Sequence, residues 1–231
     1  MSYAYALWSA ILLVPWALVF AALRSPASRR EMLVTSTLTA LLGLTEPLFV
    51  PEYWNPPTLF DLAQRSGFDI ESLVFAFAVG GLAGTLYESL FPVRHTRVPA
   101  VERHRPRHRW HGAALLSPVL VFLALYPIDG LNPIYAVIAA LSIGGSLAAW
   151  CRPDLLRKML AGAALFGAFY FLFFLSLVWV YPDYVDSVWN LAGISGLLLF
   201  GVPLEEVLFA VSLGFLWSGA YEHLSWLRAD R

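Results

Sequence analysis

Charge is what this chain has least of. Asp, Glu, Lys and Arg together make up 13% of its 231 residues, while hydrophobic residues reach 59%. An ordinary soluble domain carries about 25% charged residues, so the composition excludes that class and points to a membrane. Cysteine is nearly absent. Cys151 stands alone, which rules out an internal disulfide, and nothing in its surroundings marks it for a special role. No positive charge precedes the first apolar run, so that run lacks the basic start of a signal peptide and is expected to remain as structure. The apolar runs are continuous rather than alternating, which excludes a closed barrel. Phosphate loops, nucleophile elbows and dinucleotide fingerprints are missing too, and no nucleic-acid partner is expected.

What is present fits about seven spanning helices of roughly 20 residues. The expected segments are 4–22, 32–50, 69–90, 112–128, 133–150, 159–180 and 202–224. The cations follow an alternating order. Arg24, Arg29 and Arg30, then Arg94 to Arg109, then Arg152 to Lys158, then Arg228 and Arg231 fall in every second connection, and Arg65 alone lies opposite. The positive-inside bias makes those connections cytoplasmic, with the amino terminus outside and the carboxyl terminus inside. The expected fold class is an all-α membrane protein of the plasma membrane.

Two stretches resemble one another. Asp69-Ile-Glu-Ser-Leu-Val-Phe continues to Tyr87-Glu88, and Pro203-Leu-Glu-Glu-Val-Leu-Phe continues to Tyr221-Glu222. At an offset of 134, Glu71 falls on Glu205, Phe75 on Phe209 and Glu88 on Glu222. Trp54-Asn55 matches Trp189-Asn190 at 135, and Arg29-Arg-Glu-Met matches Arg157-Lys-Met near 127. Small gaps account for the drift. The expected plan is a three-helix repeat at 1–91, a basic loop and linker helix at 92–130, and a second repeat at 131–231. An odd linker makes the repeats parallel, about an axis near the membrane normal. Apolar segments also resemble one another by coincidence, which is the competing explanation.

Ionisable residues at membrane depth are costly and mark functional sites by default. Glu71, Glu205 and Glu206 are therefore the candidate catalytic residues. The same acids, with Asp69, are also what an ordinary first helical turn contains, and Pro203 suits a helix start. Against that stands Leu191 to Val202, an apolar run too short to cross a bilayer, whose re-entry or packing in the outer leaflet would bury Glu205 and Glu206. Neighbouring buried carboxyls can divide into one acid and one base. Phe75, Phe209, Trp217, Glu46, Trp54 and Trp189 are candidate pocket residues, Trp217 because it lies three turns from Glu206 on one face. Glu88 and Glu222 are 17 residues below Glu71 and Glu205, roughly 25 Å along a helix, and are expected to pair with the Arg-rich loop. Tyr87 and Tyr221 are expected as interface anchors. The loop's histidines show no ligand spacing, so neither a metal nor another cofactor is expected.

Pro203-Leu204-Glu205-Glu206-Val207-Leu208-Phe209, with the Trp before it and the three-helix repeats, resembles the lycopene cyclase domain of the carotenoid pathway. That resemblance implies proton-initiated closure of a linear ψ-end into a ring, without net redox change, metal or cofactor. It implies a carotenoid or other isoprenoid dissolved in the bilayer as substrate, and other carotenoid-pathway enzymes as partners. The first repeat departs from the family's proline and paired acids, with Asp69 in place of the proline and Ser72 in place of the second glutamate. The alternatives are a proton-initiated cyclase of another isoprenoid and a non-catalytic carrier. A transporter would need helix breaks near midplane, for which Gly80-Gly81 and Gly144-Gly145 are candidates.

Overall fold

A computed structural model describes residues 3–230, and Arg231 lies outside them. Among the described residues the long helices are α1 (Ala4–Ala22), α2 (Pro26–Leu42), α3 (Ile70–Leu90), α4 (His111–Leu125), α5 (Pro133–Cys151), α6 (Leu156–Val180) and α7 (Leu204–Ser225). Four of these, α1, α3, α5 and α6, are long and apolar enough to cross a membrane. The chain is a helical membrane protein.

Helix α2 begins and ends earlier than the expected 32–50. The Ser25 side chain accepts the Ser28 N–H at 3.0 Å and Pro26 occupies the first turn, so the helix starts before the arginines. At its far end Pro47 disfavours α geometry at the residue before it, and Gly43–Leu48 tightens into a 3-10 turn that carries Glu46.

Helices α3 and α7 touch each other at the centre. Helices α1 and α2 flank α3, α5 and α6 flank α7, and α4 packs on α5. The middle of the bundle is filled by buried Leu12, Met32, Ala78, Leu82, Phe166, Ala210 and Leu213. Small residues allow the close approaches, as is common between membrane helices. A Cβ on Gly80 would stand 2.0 Å from Thr39 Oγ1, and one on Gly144 would stand 2.4 Å from the Pro118 ring. Helices α3 and α5 run through both glycine pairs unbroken, so these glycines serve packing and not the breaks considered from sequence.

The run 191–202 folds back on itself. A 3-10 turn at Leu191–Gly193 leads to β2 (Leu198–Leu199) and β3 (Val202–Pro203), paired antiparallel around Phe200 and Gly201, both at positive φ. Phe200 at its tip is 85% exposed beside apolar Val178 and Trp179. The hairpin delivers Pro203 directly to the start of α7.

Two further pairings join the halves. At one end Trp54 and Trp189 form an antiparallel bridge. The Asn55 N–H donates to the Val188 carbonyl at 2.8 Å, and the Asn190 N–H to the Tyr53 carbonyl at 2.9 Å. At the other end β1 (Arg94–Arg97) pairs antiparallel with β4 (Leu227–Asp230), His95 opposite Ala229.

Candidate functional site

Glu206 opens α7 in the core, 6% exposed. Its Oε1 accepts the Tyr53 hydroxyl at 2.5 Å and the Trp189 indole N–H at 3.1 Å, and its Oε2 accepts the Tyr170 hydroxyl at 2.6 Å. Both oxygens are thus committed as acceptors. Tyr53 comes from the connection after α2, Tyr170 from mid-α6 and Trp189 from the opposite connection, so one carboxylate gathers three segments of chain. Burial, and after it the Glu206 carboxylate, hold the Tyr53 phenol well above its usual range, which keeps it a donor.

Glu205 is 1% exposed and faces elsewhere. Its Oε1 accepts the Tyr135 hydroxyl at 2.7 Å and the Ser195 N–H at 3.0 Å, while Oε2 is buried without a partner among the described residues. Glu71, 3% exposed, accepts the Leu59 N–H at 2.6 Å on Oε1, and its Oε2 is likewise buried and unpartnered. No hydrogen bond among the described residues joins Glu71 to Glu205 or Glu206. The buried Tyr184 hydroxyl, unpartnered as well, lies within electrostatic reach of Glu71.

Asp69 takes the ordinary helix-start role. Its carboxylate caps α3 by accepting the Ser72 N–H at 2.5 Å and the Ser72 hydroxyl at 3.0 Å. Ser72 Oγ also meets the Tyr5 hydroxyl at 2.8 Å. Glu46 is 9% exposed and faces Asp69, Ser72 and Trp54. The first half therefore builds its own polar centre from Glu46, Asp69, Ser72 and Tyr5, with a hydroxyl where the second half has Glu206.

Most of the expected aromatics line these centres. Trp54 packs on Trp189 at 5.4 Å between ring centroids and on Tyr5 at 4.9 Å. Phe75 and Phe209 both stand edge-on to Tyr170, at 6.2 and 6.3 Å. Trp217 is different. It lies about 16 Å down α7 from Glu206 and packs against Leu155, Met159 and Leu216, so sharing a helix face does not bring it to that carboxylate.

The lower acids form a separate cluster. Lys158 Nζ donates to Glu31 Oε1 at 3.0 Å, to Glu88 Oε1 at 2.5 Å and to Glu222 Oε1. His95 Nε2 approaches Glu31, Glu88 and Glu222 at 3.2, 3.3 and 3.2 Å. The expected partner, an arginine of the basic loop, is replaced by Lys158 from α6 and by that loop's His95. The physical reason is reach into a dry site, since a compact ammonium can serve three carboxylates at one point. Tyr87 is 6% exposed rather than at a lipid rim, and Tyr221 stands edge-on to His95 at 6.4 Å.

Tyr5, Tyr53, Tyr135, Tyr170, Glu31, His95 and Lys158 carry these two centres and were not singled out from sequence. Tyr53 had a signal, since it directly precedes the matched Trp54-Asn55 pair. Lys158 had one as well, since it sits where the matched segment carries Glu31.

Buried carboxylates held by phenols and indoles thus lie inside an apolar helical bundle. Comparison with protein families adds one finding. Residues 132–224, which span α5, α6 and almost all of α7, match the lycopene cyclase family. The matched segment is similar to that family, and it includes Glu205, Glu206, Tyr135, Tyr170 and Trp189. Neither the curated proteins nor the solved structures yield a match.

Proposed function

We propose that this protein is a carotenoid cyclase of the plasma membrane that closes a linear ψ-end by protonation, with two parallel three-helix repeats spanning the bilayer seven times. The observation that carries this reading is Glu206, buried in the family-matched segment with both oxygens held by Tyr53, Tyr170 and Trp189. The bridge between Trp54 and Trp189, each matched to the other in sequence, supports the repeat.

Glu205 and Glu71 each have a buried oxygen with no partner among the described residues. Glu205, which lies in the family-matched segment, is given the role of carrying a proton to an alkene carbon. The resulting carbocation closes on the next double bond, forming one carbon–carbon bond. Glu206, its carboxylate oxygens accepting from Tyr53, Trp189 and Tyr170, then stabilises the cation, and Phe75, Phe209 and Tyr170 offer ring faces and edges around it. A proton leaves a ring-adjacent carbon to Glu206 or Glu71, and passing one proton back resets the donor. Atoms and electrons balance with no redox partner.

The test is expression in cells that accumulate lycopene, followed by pigment separation. Cyclised ends with the parent, and their loss with Glu205→Gln and with Glu206→Gln, are the expected result. Unchanged lycopene from a well-inserted parent would reject the proposal. A second reading, cyclisation of another isoprenoid, draws on Ser72, which gives the first half a hydroxyl at the position equivalent to Glu206. A non-catalytic carrier would instead retain ligand binding in Glu206→Gln and form no product.

A further inference from the structure

A third polar cluster, near the β1–β4 end, takes no part in the chemistry above. His108 lies in the 3-10 turn Pro106–Trp110, His111 opens α4 and Cys151 closes α5. Cys151 Sγ is 3.5 Å from His108 Nδ1 and 3.6 Å from His111 Nδ1, and one ligand atom of each residue lies within 4.8 Å of the other two. His223, near the end of α7, brings Nε2 to 3.0 Å from His111 Nδ1. His108, Cys151 and His223 are 6%, 0% and 1% exposed.

An imidazole nitrogen has one in-plane valence, either a proton or a lone pair. His111 Nδ1 divides that valence between Cys151 Sγ and His223 Nε2. A metal ion at this point would instead take one lone pair from each of Cys151, His108 and His111. The spacings suit one. With metal–sulfur about 2.3 Å and metal–nitrogen about 2.05 Å, a tetrahedral site has S···N edges of about 3.6 Å and N···N edges of about 3.3 Å. The two S···N edges are 3.5 and 3.6 Å, and the ligand atoms of the triad all lie within 4.8 Å of one another.

The surroundings are compatible with a cation. Arg152, next to Cys151, is held by Asp154 at 2.9 and 2.6 Å, and Arg107 is paired with Glu102. Trp226 covers the cluster, stacked on His111 at 3.8 Å and edge-on to His108 at 5.2 Å.

We propose that Cys151, His108 and His111 are the three protein ligands of a divalent ion of the zinc class. The Cys151 thiol gives up its proton on binding, and the ion ties the basic connection and the start of α4 to the end of α5. The sequence did not reveal this, because only His108 and His111 are close in the chain.

The test uses the full-length protein in detergent, without a polyhistidine tag, stripped of metal and titrated with Co²⁺ alone and then with Zn²⁺. The expected result is one equivalent of Co²⁺ with a thiolate-to-cobalt charge-transfer band and tetrahedral visible bands, both displaced by Zn²⁺. Cys151→Ser should remove the charge-transfer band. His108→Ala should weaken binding by more than about 100-fold, beyond what loss of a supporting contact costs. His104→Ala, an exposed histidine of the same connection, should change neither. A wild-type protein with no thiolate band overturns the proposal whether or not the variants fold, and so does a band that survives Cys151→Ser. Because the readout is spectroscopic, it is independent of cyclase activity.

Discussion

The Tyr53 hydroxyl donates to Glu206 Oε1 at 2.5 Å, joining residues 153 positions apart. The bond links the connection after α2 to the first turn of α7, so the carboxylate is assembled only when both halves are in place. A hydrogen bond to a charged group contributes about 1.5–3 kcal/mol. Tyr53→Phe and Tyr170→Phe are each expected to lower ring formation by roughly 10- to 100-fold, and Glu206→Gln by about 100-fold or more. Pigment ratios at matched membrane levels measure this. Full activity in Glu206→Gln would remove the carboxylate from the reaction.

At the opposite end Lys158 serves three carboxylates, each at most 4% exposed. Lys158→Met leaves them facing one another with only His95 for compensation, and breaking a buried pair costs about 3–5 kcal/mol. Glu88→Gln removes one charge from a cluster with three acids and two bases, so its cost should be smaller. Thermal unfolding in detergent should rank wild type first, Glu88→Gln next and Lys158→Met far below. Equal losses in the two variants would contradict this charge balance.

The cluster also sets a pH dependence. Burial alone would lower His95, but its hydrogen bonds to Glu222, Glu31 and Glu88 reverse that and hold it up to about 12. A raised folded pKa stabilises fully below the unfolded value near 6.5, and that contribution is lost as pH rises through the folded value. The melting-temperature gap between wild type and His95→Gln should therefore be larger at pH 6 than at pH 9. A gap that widens with pH would mean the imidazole is neutral in the fold.

Close helix contact predicts a contrast between two glycines. A Cβ on Gly214 would meet the Gly162 carbonyl at 2.8 Å and Ala163 Cα at 3.1 Å, backbone atoms that cannot turn away. Gly214→Ala should cost about 1–3 kcal/mol. Gly112, near the start of α4, has nothing within 4 Å of such a Cβ, and Gly112→Ala should be neutral or slightly stabilising. Melting temperatures of the two variants decide it.

Helix positions were legible because long apolar runs bounded by Arg-Pro, Asp and Pro signals leave little freedom. The exception was α2, where the polar Arg29-Arg30-Glu31 hid a first turn that Ser25 and Pro26 begin. Glu205 and Glu206 were visible as acids in an apolar context. Their partners were not, because tyrosines in an aromatic-rich membrane chain resemble belt residues until the fold points Tyr53 and Tyr170 inward. Lys158 and the Cys151–His111 contact escaped for another reason. They depend on which helix ends meet, and neither periodicity nor local spacing encodes that.

Between Tyr170 and Lys158 on α6 the buried side chains are Phe166, Ala163 and Met159. That stretch covers about 18 Å and has no titratable group to relay hydrogen ions. A proton held at the Glu206 centre therefore has no side chain on this face of α6 by which to reach Lys158, and the two polar centres are separate along it.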